Sequence, residues 1–352
     1  MNELKNLPGY ELSPLATLVN AKQNAVPLNA SFELTPRCNM NCGMCYVHLK
    51  TDEIKKHGRE LEAAEWIELG RQAAKAGSLF LCITGGEPTL HPQFCEIYSA
   101  LSGMGFIITL QSNLYGIPDE CFEIIKKYPP QEIKFTIYGA DDETYQKVCG
   151  VQNGFTRVME NIRRLKAGGI RLVSVTTVTK DNYKDVEKIA ELMKELEIPW
   201  VSCAALKKSL RGAESRAEEL RLEDSMYANL CDDVRASVEK AQKRKGLKPC
   251  ELCSDYKTGF WIKWDGRMSF CSFLHEPDID AARLGFSESW KRLVDFEENL
   301  MWPEECRECE ISDSCPRCAA SIAAESGSIY KVSNGYCKYI KELIKKVNGG
   351  KK

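Results

Sequence analysis

The stretch Arg37-Cys38-Asn39-Met40-Asn41-Cys42-Gly43-Met44-Cys45-Tyr46 spaces three cysteines as C-x3-C-x2-C. A structural zinc site takes four ligands, usually delivered as two C-x2-C pairs, so a lone triplet suits zinc poorly. Three thiolates can instead hold three irons of a 4Fe–4S cluster and leave the fourth iron open to another ligand. A zinc knot or an incidental trio of thiols is the alternative that spacing alone leaves standing. Working outward, residues 30–35 (Ala-Ser-Phe-Glu-Leu-Thr) read as a strand ending at the cysteine loop. Residues 80–84 (Phe-Leu-Cys-Ile-Thr) read as a short buried strand that runs straight into Gly85-Gly86-Glu87-Pro88. Small residues directly after a strand allow close backbone approach to a ligand, and the Glu87 carboxylate can accept hydrogen bonds from an ammonium.

The cysteine triplet, followed one strand–helix unit later by Gly-Gly-Glu-Pro, resembles the signature of radical S-adenosyl-L-methionine (SAM) enzymes. The resemblance implies that Cys38, Cys42 and Cys45 ligate a 4Fe–4S cluster whose open iron is chelated by the amino and carboxylate groups of SAM. It also implies that Gly85, Gly86, Glu87 and Pro88 bind the methionine amino group. In such enzymes electron transfer from the cluster breaks a carbon–sulfur bond, and the 5′-deoxyadenosyl radical abstracts a substrate hydrogen. Other strand ends resemble weaker family positions. Ser112 and Asn113 stand where the family often has a Thr-Asn pair near the cofactor. Thr136-Ile137-Tyr138-Gly139 resembles a Ser-Ile-Asp-Gly segment, and Thr177 ends a strand where it could face adenosine. Each of these is equally an ordinary polar residue at a strand end. Met44 occupies a place usually aromatic in the family, and a thioether can pack there against adenine.

Short β-rich runs alternate with amphipathic segments from residue 30 to residue 206. Strands are predicted at 30–35, 79–84, 106–111, 132–138, 171–179 and 200–205, with helices at 60–76, 92–104, 119–127, 154–167 and 183–196. In the first helix Leu61, Trp66, Leu69 and Ala73 form one apolar stripe. Strand–helix alternation implies a parallel sheet with helices outside. Six strands cannot close an eight-stranded barrel, so the fold class is α/β, a partial (β/α)6 TIM-like barrel, which the resemblance also implies. Active sites of such sheets gather at the carboxyl ends of the strands, where Cys38 and Gly85 fall. The predicted organisation is an N-terminal extension (1–29), the radical SAM partial barrel (30–206), an Arg/Glu-rich helical linker (207–247) and a cysteine-rich domain (248–345).

The chain has 352 residues, 43% of them hydrophobic, a net charge of −2 and 17 cysteines. Such a length supports one large domain and a small one. The charge argues against nucleic acid, and no long apolar run argues for a membrane. The first residues lack a signal-peptide apolar core. Thiols kept reduced in the cytosol read as metal ligands or reactive groups rather than disulfides. A cytoplasmic protein is expected.

The second half carries Cys250, Cys253, Cys271, Cys306, Cys309, Cys315, Cys318 and Cys337. The pattern C-x12-G-x4-C, then C-x2-C-x5-C-x2-C and a distant cysteine, resembles the SPASM extension of radical SAM enzymes, which holds two auxiliary 4Fe–4S clusters. The family usually shows C-x3-C where Cys315 and Cys318 stand one residue closer. By position, the resemblance assigns Cys250, Cys253, Cys271 and Cys318 to the first auxiliary cluster and Cys306, Cys309, Cys315 and Cys337 to the second. If Cys250 is not a ligand, the first has an open iron. Two four-thiolate zinc sites are the alternative. Cys82, Cys95, Cys121, Cys149, Cys203 and Cys231 remain, and core packing is the default for each. Cys149 and Cys203, near barrel strands, are candidates to return a hydrogen atom to a substrate radical.

Enzymes with this extension mostly modify peptides. The resemblance therefore implies hydrogen abstraction from a residue of a ribosomally made precursor peptide, with oxidation, thioether or carbon–carbon crosslinking, or epimerisation as outcomes. Sulfatase-maturase-like oxidation of Cys or Ser is less well matched, because that branch has an Asp where this chain has Ser272. A tetrapyrrole side-chain enzyme of heme synthesis is a second reading, and an iron–sulfur or zinc scaffold a third. Few residues precede the first strand, so leader binding is expected from a separate protein or the C-terminal surface. A ferredoxin or flavodoxin is the expected electron donor.

Overall fold

Each predicted β-rich run pairs with the next, because apolar residues on alternate positions can be buried only if helices cover the outer face of the sheet. The strands are β1 (Asn29–Glu33), β2 (Phe80–Thr84), β3 (Ile107–Ser112), β4 (Glu132–Thr136), β5 (Leu172–Thr177) and β6 (Trp200–Cys203). All are parallel, with Asn29 beside Phe80, Phe80 beside Ile107 and Ser174 beside Trp200. The structure, a computed structural model, describes residues 14–222, 241 and 246–349. Most of the helical stretch expected over 221–245, and Cys231 within it, lies outside the described residues.

The outward side chains make the core. Phe32, Leu81, Ile83, Leu110, Ile133 and Phe135 are buried beneath the helices. Leu61, Trp66, Leu69 and Ala73, the stripe predicted for the first amphipathic helix, are all buried. Trp66 meets Phe32 with ring centroids 5.1 Å apart, and each such side chain contributes about 1.5–3 kcal/mol by leaving water. That helix begins at Ala63 rather than residue 60, because the Glu65 carboxylate reaches back to accept from the Glu62 N–H at 3.0 Å and caps the first turn. The predicted helix at 183–196 opens with a tighter turn over Tyr183–Asp185 before Val186–Glu195. Within residues 30–206 two short α-helices escape sequence reading. Thr51–His57 buries only Ile54, leaving no periodic stripe. Asp142–Cys149 is fixed by the Asp141 carboxylate accepting from the Thr144 N–H at 2.8 Å.

The sheet is larger than the six strands predicted. Gly259–Ile262 (β7) pairs in parallel with β1, and β8 (Arg267–Ser269) and β9 (Ile279–Asp280) continue antiparallel. The order is β6-β5-β4-β3-β2-β1-β7-β8-β9. A bare β1 edge would expose a row of unpaired backbone groups, and β7 satisfies them. The cysteine-rich C-terminal segment is thereby stitched to the barrel by backbone hydrogen bonds. Among the described residues, no helix is long and apolar enough to cross a membrane.

Candidate active site

The cysteine loop follows β1 and is held from below. The N–H groups of Asn41 and Gly43 donate to the carbonyls of Cys149 and Val148 at 2.8 and 3.2 Å, and Leu49 N–H to Pro36 O at 3.1 Å. Sulfur atoms of the loop receive hydrogen bonds in turn. Cys38 Sγ accepts from Met40 N–H at 3.4 Å and Asn113 Nδ2 at 3.5 Å, and Cys45 Sγ from His48 N–H at 3.3 Å. A hydrogen bond with Cys149, then burial, pushes the Cys42 thiol up, while the Tyr138 hydroxyl works in the opposite direction. Burial and the neighbouring Cys42 push Cys45 up. Crowded buried thiols resist ionising alone, and the positive irons of a cluster would supply the compensating charge. The donor set therefore fits iron–sulfur ligation.

Gly85 and Gly86 serve the loop as well as the cavity. Gly86 N–H donates to Thr35 O and Glu87 N–H to Arg37 O, both at 2.8 Å. A Cβ on Gly86 would meet Arg37 O at 2.4 Å, and one on Gly85 would meet Thr35 O at 2.6 Å. The close approach that requires glycine is thus to the backbone entering the cysteine loop. Glu87 is 1% exposed and spends its carboxylate within the chain. Oε1 accepts from the Thr89 hydroxyl at 2.7 Å, and Oε2 accepts from Ser112 Oγ at 2.9 Å and Asn113 N–H at 2.8 Å. Glu87 locks the end of β3 to the end of β2, and burial pushes its carboxyl up. Pro88 is buried too, and neither side chain lines the cavity.

A cavity of about 400 Å³ opens at the carboxyl ends of the strands, within the range of small-molecule sites. Cys38, Cys42 and Cys45 line it together with Met44, Gly85 and Gly86. Ser112, Asn113, Thr136 and Thr177 supply polar groups from the ends of β3, β4 and β5, a lining suited to the hydroxyls, amine and carboxylate of a nucleoside cofactor. Cys203, exposed at the end of β6, faces this cavity. Cys149 does not line it and is fully buried beside Cys42, behind the loop.

Other lining residues were missed in the sequence. Gln111 and Lys134 alternate with buried Leu110 and Phe135, so strand periodicity could have found them. Lys207 and Phe273 carry no local signal, since both come from irregular segments. Phe273, two residues past Cys271, packs against Tyr46 with centroids 4.2 Å apart and the ring planes tilted by 33°. The Tyr46 hydroxyl reaches Ser272 Oγ at 3.4 Å. The C-terminal segment therefore forms one wall of the barrel cavity.

The eight C-terminal cysteines fall in two groups. Burial pushes Cys253 up to about 12, with Cys271 and Cys318 adding to the effect. Cys250, fully buried, is pushed up by burial and by Cys253 and Cys271 among its neighbours. Cys306, Cys309, Cys315 and Cys337 surround a space of about 30 Å³ with Arg317 and Tyr336. Burial pushes Cys306 up to about 11, opposed by the Arg317 guanidinium.

Residues 32–193 match the Radical SAM superfamily. This chain carries a radical SAM domain. It is 25% identical over 344 residues to the AdoMet-dependent heme synthase of Methanosarcina barkeri, covering 89% of this chain and 97% of that protein. It is 28% identical over 323 residues to the Fe-coproporphyrin III synthase of the same organism, covering 82% and 79%. Among solved structures it is similar in fold to Streptococcus suis SuiB bound to S-adenosylmethionine, with a TM-score of 0.65 and 16% identity over 94% of this chain and 82% of that one. The complex of SuiB with its precursor peptide SuiA gives a TM-score of 0.63 at 18% identity, over 95% and 83%. The cavity lies at the carboxyl ends of the strands of that domain, where sites of such parallel sheets gather.

Proposed function

We propose that this radical SAM enzyme abstracts hydrogen from a side chain of a carboxylate-bearing tetrapyrrole. The observation that carries the radical chemistry is the convergence of Cys38, Cys42 and Cys45 on one cavity with Gly85, Gly86 and the polar ends of β3 to β5. Cys38, Cys42 and Cys45 would hold the cluster, and the backbone of Gly85 and Gly86 with Ser112, Asn113, Thr136 and Thr177 would hold SAM, Met44 packing beside it. When bound, cluster and cofactor supply a 5′-deoxyadenosyl radical. The protein orients the substrate and excludes water. Glu87 and Pro88 act from behind, by fixing Ser112, Asn113 and the Gly-Gly turn.

The substrate assignment rests on the names of the curated relatives, whose similarity runs through both halves of the chain. Two auxiliary 4Fe–4S clusters, on Cys250, Cys253, Cys271 and Cys318 and on Cys306, Cys309, Cys315 and Cys337, would accept or relay electrons. The boundaries 1–29, 30–206, 207–247 and 248–345 remain our division of the chain. A ferredoxin or flavodoxin donor and a cytoplasmic location complete the reading. The test is anaerobic incubation of reconstituted enzyme with SAM, reductant and iron coproporphyrin III. Loss of mass from the porphyrin, matched by 5′-deoxyadenosine, is expected; unchanged porphyrin overturns the assignment.

Cys203 favours a second reading, action on a precursor peptide, because an exposed thiol on the cavity can return a hydrogen atom to a substrate radical. Co-expression with a neighbouring short peptide in deuterium oxide distinguishes the outcomes. Loss of two hydrogens marks crosslinking or oxidation, and one carbon-bound deuterium marks epimerisation.

A further inference from the structure

The segment following β6 carries three cations between residues 207 and 211, of which Lys207 lines the cavity, and their partners differ. Arg211 is committed to Glu33 at 2.8 Å, and Lys208 lies 3.7 Å from Glu218. Lys207 makes no ion pair with any described residue. Its Nζ sits 4.7 Å over the Phe273 ring, and both residues line the cavity. The other lysine of the lining, Lys134, already has the Glu132 carboxylate at 3.4 Å. An aromatic face attracts an ammonium but leaves its three N–H donors without a strong acceptor. A half-buried ammonium held that way presents its donors to whatever anion enters the cavity.

We propose that Lys207 anchors a carboxylate of the substrate, an inference that rests on the tetrapyrrole reading above. Phe273 fixes the ammonium from one side, and the substrate carboxylate approaches from the cavity. Carboxylates come from two sources here, the substrate and the methionine end of SAM. The topology favours the substrate. Lys207 follows β6, four strands away in the sheet from β2, which carries Gly85-Gly86.

Equilibrium binding to reconstituted Lys207→Met and Lys207→Arg enzymes separates the possibilities. The probes are iron coproporphyrin III, its tetramethyl ester and SAM alone. Lys207→Met is expected to weaken the acid porphyrin about tenfold or more, as loss of a charge-assisted hydrogen bond implies. The ester should bind wild type and variants alike, Lys207→Arg should restore most of the affinity, and SAM affinity should move far less than that of the acid. Undiminished preference of Lys207→Met for acid over ester overturns the assignment and leaves the tetrapyrrole reading intact. A SAM affinity falling as far as that of the porphyrin overturns it in favour of the cofactor carboxylate. Wild-type enzyme that binds neither porphyrin overturns the substrate reading and this assignment with it.

Discussion

The Arg211 guanidinium holds both carboxylate oxygens of Glu33 through Nη2, at 2.9 and 2.8 Å, in a pair shut away from solvent. Glu33 ends β1 just before the cysteine loop, and Arg211 belongs to the segment that crosses back after β6. The guanidinium also sits 5.7 Å from the ring centroid of Tyr46, the residue after Cys45. One buried pair therefore ties the start of the cysteine loop to the segment that carries Lys207.

Breaking that pair from one side should be costly. Arg211→Met leaves a buried carboxylate uncompensated, and the expected destabilisation is about 3–5 kcal/mol. Glu33→Gln should destabilise for the converse reason. The double variant should lose less than the sum of the two in denaturant unfolding. Strictly additive losses would show that the residues do not act as a pair.

Lys263 lies near both residues, and burial, then Arg211, pushes its ammonium down from 10.5 to about 8. The folded value is below the unfolded one, so between about pH 8 and 10.5 the unfolded chain binds the extra proton. The cost of burying the charged amine is full below pH 8, and stability is regained as pH rises through that window. Unfolding midpoints of wild type, relative to those of Lys263→Met, should therefore climb from pH 8 to 10. A difference that stays flat with pH would contradict this assignment.

Replacing Cys38, Cys42 and Cys45 with Ala should abolish SAM cleavage while leaving the two clusters proposed for the C-terminal segment. Three cubane clusters give about twelve irons per chain, and the triple variant should retain about eight. Sulfide and iron analysis of anaerobically purified protein decides the matter. Zinc without sulfide in the C-terminal segment would replace the two auxiliary clusters with structural zinc.

Gly86→Ala tests the packing account of the Gly-Gly turn. The new methyl would press on Arg37 O at 2.4 Å and Pro36 O at 2.9 Å, backbone atoms that cannot swing aside. Cluster incorporation should fall sharply, read as iron content and absorbance after reconstitution. A variant that loads its cluster normally but binds SAM weakly would assign the glycine to cofactor contact alone.

Much of the frame was legible because it rests on local rules. The six barrel strands alternate side chains at period two, and Asp119–Lys127 and Gly154–Ala167 carry apolar stripes strong enough to fix both ends. Helix Thr51–His57 escaped notice because one buried isoleucine makes no stripe. Glu87 looked like a ligand for an ammonium. Its carboxylate is instead consumed by Thr89, Ser112 and Asn113, a set of donors that assembles only when β2 and β3 lie side by side.

The sequence by itself pointed to the radical SAM domain, because cysteine spacing around residues 38–45 and a Gly-Gly turn one unit later are short-range features that the chain carries in any conformation. Tertiary structure alone decided which side chains meet in the cavity. Cys203 faces it and Cys149 does not, although both looked equally placed in the chain. Lys207 and Phe273 lie 66 positions apart, a separation that local periodicity cannot encode, and β7 pairing on the open edge of β1 helps bring the C-terminal wall to the barrel. Edge pairing and burial are free-energy terms of the whole chain, and no short stretch of residues contains them.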